Sequence, residues 1–162
     1  MHLMPPVRSI YHSVNERSGV YPPQPLAPFT GMEYIVNIKG DNMDTIKLTR
    51  MAFFGYHGDE PEETKLGQRF YIDVEMGLDL SKVGETDALE DSVNYVAVYS
   101  LVKQRAEGGP YKLLERLAGV INRDILAQFP LVEKVTTTVH KPGSPIPGIL
   151  DDVSVTLTKE RQ

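Results

Sequence analysis

The chain has 162 residues, 41% hydrophobic and 24% charged, which suits one domain with a sizeable core. Net charge is −5 and no run of lysine or arginine occurs, so nothing offers a footprint for nucleic-acid phosphates. There is no cysteine, which excludes disulfides, thiolate metal sites and cysteine nucleophiles and fits a reducing cytoplasm.

Residues 1–42 hold six of the twelve prolines, and their charges cancel. Such a leader sustains no periodic apolar face and reads as a largely disordered N-terminal extension. Residues 33–38 could form a short strand. No charged start followed by an apolar core marks a secretory signal, and no apolar run approaches the roughly 20 residues of a membrane helix. Met43 reads as the opening of the domain, 43–162, with the leader an expression artefact or an upstream-start extension.

Residues 46–49 suggest a first strand, followed by Phe53-Phe54-Gly55-Tyr56-His57-Gly58. Over 70–80 every even position is apolar and the odd ones are mostly acidic, which predicts a long half-buried strand. A helix over 94–107 carries Tyr95, Val98, Tyr99, Val102 and Ala106 at helical spacing, stopped by Gly108-Gly109-Pro110. A second, over 113–129, presents Leu114, Leu117, Ala118, Ile121, Ile125 and Phe129 on one face and closes at Pro130. Strands over 133–140 and 152–159 complete a β-β-α-α-β-β order. The expected fold is α+β: a four-stranded, mainly antiparallel sheet with two helices on one face. Its open edges invite pairing with another copy.

Between the last two strands, Lys141-Pro142-Gly143-Ser144-Pro145-Ile146-Pro147-Gly148 makes a stiff loop, since each proline fixes one φ angle. Lys141 stands at its mouth, on a rigid edge, with its ammonium free to serve a ligand. An ordinary exposed lysine at a strand end fits the same pattern.

Several segments in order resemble the dihydroneopterin aldolase family of folate biosynthesis over residues 43–160. They are Phe54-Gly55-Tyr56-His57-Gly58, Glu63 with Leu66-Gly67-Gln68 and Phe70, Asp79-Leu80-Ser81-Lys82, Thr86-Asp87 and Val93-Asn94-Tyr95. Leu113-Leu114-Glu115, Leu117-Ala118, Lys141-Pro142 and Ile146-Pro147-Gly148 complete the set. The resemblance implies the tunnelling fold, in which subunits close their sheets into a ring, with tetramer rings stacked to a homo-octamer. It implies a metal- and Schiff-base-independent retro-aldol cleavage of 7,8-dihydroneopterin, with no cofactor. The expected products are 6-hydroxymethyl-7,8-dihydropterin and glycolaldehyde, with some 2′-epimerisation.

By the same resemblance Glu115 holds the pterin's amino and ring N–H edge, a pair of donors that suits a carboxylate. It also stands at a helix start, where the macrodipole alone favours an anion. Lys141 matches the catalytic lysine that takes the 2′-hydroxyl proton, directly or through water, a task asking for a pKa depressed by burial. Tyr95 matches the catalytic tyrosine, reaching the pocket from a neighbouring subunit, although it also lies on the first helix's apolar stripe. Glu63 matches a glutamate serving the substrate's polyol tail, or belongs to a solvated charge cluster with Glu60 and Glu62. Asp87, Ser92, Val93, Asn94 and Leu114 match pocket-lining positions. His57 reads as a structural turn histidine. Ile149 stands where the family often has histidine, which puts any hydrogen bond from that position in doubt.

Other readings remain. Zinc-dependent pterin enzymes need about three histidines, and only His57 and His140 fall in the domain. No Gly-x-Ser-x-Gly turn supports a serine hydrolase. A dihydroneopterin triphosphate epimerase should add basic residues, and only Lys65 and Arg69 are at hand. A non-catalytic pterin-binding oligomer would need none of Lys141, Tyr95, Glu63 and Glu115.

Overall fold

A computed structural model describes residues 43–162; the proline-rich leader and the candidate strand at 33–38 lie outside the described residues. The second strand, β2 (Gln68–Leu78), sets the sheet's two faces. Phe70, Ile72, Val74, Met76 and Leu78 are all buried on one side, each contributing roughly 1.5–3 kcal/mol. Tyr71, Asp73 and Glu75 alternate with them and are only half-buried.

β1 (Asp44–Gly55) pairs antiparallel with β2 as a single strand, although the sequence pattern suggested separate pieces. The reason is a bulge. Leu48 opposes Val74 and Met51 opposes Ile72, so β1 carries one residue more than its partner. Arg50, in the bulge, has a φ of 54° and donates its N–H to Asp73. The extra residue switches the buried positions from Ile46 and Leu48 to Met51, Phe53 and Gly55. A change of parity in the apolar pattern is the sequence's trace of this bulge.

β3 (Lys134–Lys141) and β4 (Val153–Glu160) complete a fully antiparallel sheet in the order β1-β2-β3-β4. Among the described residues β1 and β4 each have one strand neighbour, so both outer edges are unpaired. The face away from the core is polar. Thr136 pairs with Thr158 at 2.9 Å and Thr138 with Thr156 at 2.8 Å across β3 and β4. Beside them His140 lies between Asp152 (2.5 Å) and Asp73 (3.0 Å).

Two long helices cover the other face. α3 is Tyr95–Ala106; α4 is Leu114–Gln128. The shorter α1 (Pro61–Leu66) and α2 (Ser81–Thr86) lie in connections where no apolar period announced them. α3 packs on β1, and α4 packs on β3 and β4. The expected face of α4 is buried at Leu114, Leu117, Ala118, Ile121 and Ile125. α3 buries Val98, Leu101, Val102 and Ala106, a stripe rotated away from Tyr95 and Tyr99, which are exposed. Those two tyrosines do not serve the core as their spacing suggested, although Tyr99 still touches Phe53 at 5.5 Å between rings.

Polar contacts fix α4 on the sheet. Asn122, buried, donates to the Leu157 carbonyl on β4 and accepts from the Thr137 hydroxyl on β3. The Arg161 guanidinium donates to the Leu126, Phe129 and Val132 carbonyls around the helix's last turn. The Leu126 carbonyl is one of those an α-helix leaves without partners at its end, and the other two lie just beyond it.

Candidate active site

Alternation along β3 places Val135, Thr137, Val139 and Lys141 on the core-facing side. Lys141 is thus the last inward residue of a buried stripe, 8% exposed, rather than an open lysine at a loop mouth. Its ammonium is not free: Nζ lies 2.5 Å from Glu63 Oε1, and both side chains are about nine-tenths covered. Surface ion pairs contribute little, but a covered pair is held by its surroundings.

Glu63 reaches this place from the first turn of α1, where Pro61 starts the helix. One carboxylate oxygen accepts the Glu60 N–H at 3.3 Å, and the other accepts from Lys141 and from Gln68 Nε2 at 3.3 Å. Burial alone would push the Glu63 carboxyl up. The bonds from Lys141, Glu60 and Gln68, with the Lys141 charge, outweigh it and leave its pKa below the ordinary glutamate range. Gln68 Oε1 is also buried and has no partner among the described residues.

Gly58 makes the pair possible. Its φ is 153°, and a Cβ there would stand 2.3 Å from a Glu63 carboxylate oxygen. His57, fully buried, donates from Nε2 to the Ala106 carbonyl at 2.8 Å and accepts the Tyr111 N–H on Nδ1 at 3.1 Å. Burial lowers the His57 pKa, the Ala106 bond opposes that, and the Lys141 charge lowers it further.

Of the other expected residues, Tyr95, Asn94, Asp87 and Glu115 lie on exposed surface. Tyr95 opens α3 and is 59% exposed. Asn94 is the cap of that helix, its side-chain oxygen accepting from the Val96 and Ala97 N–H groups at 3.0 and 3.2 Å. Val93 is buried and Ser92 half-buried beside it, while Asp87 ends α2 in a left-handed conformation, φ 51°. Glu115 lies exposed in the first turn of α4, next to buried Leu114, and has no hydrogen-bond or ionic partner among the described residues. Neither Tyr95 nor Glu115 bonds to Lys141 or Glu63 within the chain. Ile149 is fully exposed in the loop before β4. No group of three or more His, Cys, Asp or Glu among the described residues is placed to hold a metal ion.

The family model FolB, dihydroneopterin aldolase, matches residues 46–158. A dihydroneopterin aldolase of Bacillus subtilis (strain 168) is 44% identical over 119 residues, covering 74% of this chain and 99% of that protein. One from Streptococcus pyogenes serotype M6 is 40% identical over 119 residues, covering 74% of this chain and 100% of its own length. The chain belongs to the dihydroneopterin aldolase family. The fold agrees: the crystal structure of the Escherichia coli dihydroneopterin aldolase, solved in complex with neopterin, superposes with a TM-score of 0.66 at 25% identity. That superposition covers 72% of this chain and 99% of the other.

Within this member of the family, periodicity and spacing gave no warning of three features. Gln68 and Gly58 stood in the motifs of the resemblance with no role of their own, and His57 read as a structural turn histidine. In the structure the run Gly55-Tyr56-His57-Gly58 is crowded: a Cβ on Gly55 would stand 2.5 Å from the Ala106 oxygen.

Proposed function

We propose that this member of the family cleaves 7,8-dihydroneopterin by retro-aldol chemistry at a site built around Lys141 and Glu63. The observation that carries the assignment of residues is the covered Lys141–Glu63 pair, joined at 2.5 Å from distant parts of the chain. Glu115, exposed at a helix start and without a partner among the described residues, is the carboxylate left to hold the pterin's paired N–H donors. Buried Leu114 and Val93 supply apolar wall, with Asn94, Ser92 and Asp87 at the rim.

Lys141 meets substrate as half of an ion pair, not as a free amine. A substrate hydroxyl entering between the two groups exchanges Glu63 for itself as the lysine's partner. As that exchange occurs the ammonium passes one proton to the Glu63 carboxylate, and the neutral amine so formed takes the 2′-hydroxyl proton, directly or through water, as the bond between C1′ and C2′ breaks. Its electron pair moves onto C1′ and into the dihydropterin ring, and C2′ departs as the aldehyde carbon of glycolaldehyde. Protonation of C1′, assisted by the Tyr95 phenol, gives the hydroxymethyl product. Gln68 Oε1 supplies a further acceptor for a tail hydroxyl or a water.

Tyr95 and Glu115 make no bond to the lysine pair inside one chain, and among the described residues both sheet edges are unpaired. These facts support a homo-oligomer, a tetramer ring stacked to an octamer, in which one copy's Tyr95 completes another's site. The cysteine-free composition suits work in the cytoplasm.

The test is incubation with 7,8-dihydroneopterin and no added metal. Glycolaldehyde release is the expected result. Epimerised substrate without glycolaldehyde would make the protein an epimerase, and binding without turnover would end the catalytic reading.

A further inference from the structure

The site's two fixed points sit on different parts of the chain. The lysine pair rests on β3 and α1, whereas Glu115 rests on α4, reached through the link at residues 107–113. That link starts Glu107-Gly108-Gly109-Pro110, all exposed, and meets the core only at half-buried Tyr111. What holds it is a clip of two hydrogen bonds: Tyr111 N–H to His57 Nδ1 at 3.1 Å, and Gly58 N–H to the Tyr111 carbonyl at 3.0 Å. A third tie, Lys112 to Asp59 at 3.0 Å, is exposed at both ends and adds little. The same His57 ring reaches the end of α3 through Ala106 and stacks on Tyr111 at 5.5 Å.

We propose that His57 is a positioning residue for the reaction. Its neutral ring, protonated on Nε2 only, sets the reach between the Glu63–Lys141 pair and the pterin anchor Glu115. The inference rests on the reading of Glu115 and Lys141 given above. Geometry fixes the tautomer. An amide N–H can only donate, so Nδ1 must accept from Tyr111; a carbonyl can only accept, so Nε2 must donate to Ala106. A proton on Nδ1 would oppose donor to donor and open the clip. The space is also filled. A Cβ on Gly55 would come within 3.0 Å of the ring, and Phe70 meets its edge at 5.2 Å. His57 lies on the chain one residue before Gly58, which makes room for Glu63. One short turn therefore fixes both the base's partner and the anchor's link.

Two substitutions separate positioning from mere support. His57→Asn keeps an acceptor near the place of Nδ1 and so can hold Tyr111. His57→Gln keeps a donor near the place of Nε2 and so can hold Ala106 but not the link. Each loses one buried hydrogen bond, so their melting temperatures should fall alike. We expect the Gln variant to lose at least tenfold more kcat/KM than the Asn variant, and to bind neopterin more weakly in a fluorescence titration. Equal losses in both, or a greater loss in Asn, would overturn the proposal. Should either variant fail to fold, nitrogen NMR of histidine in the wild-type protein decides. A ring protonated on Nε2 alone supports the proposal; a proton on Nδ1 at neutral pH refutes it. Glu115→Ala, titrated in parallel, keeps the two readings apart. Normal neopterin binding by that variant would remove the anchor and this inference with it. Lost binding, with no difference between Asn and Gln at residue 57, would remove the inference alone.

Discussion

Around Lys141 the proposed functional side chains are buried and already paired, whereas Tyr95 and Glu115 are exposed and lack partners among the described residues. The first region comes together within one chain: β3, α1 and the turn at 57–58 converge, and Lys141, Glu63 and His57 all have partners. The second offers a phenol and a carboxylate on helix starts, with nothing among the described residues to engage them. Substitutions in the buried region should therefore change stability and turnover together. In the exposed region they should change turnover or binding and leave folding alone.

The largest effect belongs to Lys141→Ala. Loss of a positioned base costs about 10²–10⁴ in rate, so kcat should drop on that scale while neopterin still binds. A kcat near wild type would move proton abstraction to another group. Tyr95→Phe comes next, with slower product formation and a stability change within about 0.5 kcal/mol, as for other surface substitutions. Co-refolding that variant with Lys141→Ala sharpens the contrast between the regions. Partial recovery of glycolaldehyde release would show that different copies share a site, and no recovery would confine each site to one chain.

Gly58→Ala tests how the buried region is held. The strained backbone should cost about 1–3 kcal/mol, and the displaced Glu63 carboxylate should slow turnover with it. Chemical denaturation alongside steady-state kinetics measures both, and an active variant of full stability would contradict the tight contact. The smallest effect concerns pH. The Glu63 carboxyl has its pKa lowered in the folded state, so its contribution to stability is present above the ordinary value of 4.5 and is lost as pH falls through the lower folded value. The stability difference between wild type and Glu63→Gln should thus shrink from neutral pH down through that window. A difference that stays constant would mean the carboxylate gains nothing from its pairing.

Regular packing was the legible part of this chain. The alternation in β2 and the apolar faces of α4 and β3 follow from burial on a fixed period, and the helix stop at Gly108 follows from backbone chemistry. The single β1 strand was not legible as one element because its bulge reverses the parity of the pattern at Arg50. α1 and α2, each six residues, are too short for a period to show. Tyr95 and Tyr99 shared a spacing with Val98 and Val102, and only the packing of α3 shows which side of that stripe is covered. The resemblance to a family named the site positions but not their state. The stiff loop suggested a Lys141 ammonium free for a ligand, where the chain gives it a carboxylate. Nothing in composition or spacing relates residue 63 to residue 141, since that contact exists only when three segments are folded together.

Gly58 carries a wider consequence. The volume its missing side chain leaves is occupied by Glu63, so this position would rank beside 63 and 141 in a saturation screen for loss of function. It would do so without ever meeting a substrate or moving a proton. Selection at such a residue acts on emptiness, and an inventory of reacting groups alone would pass it over.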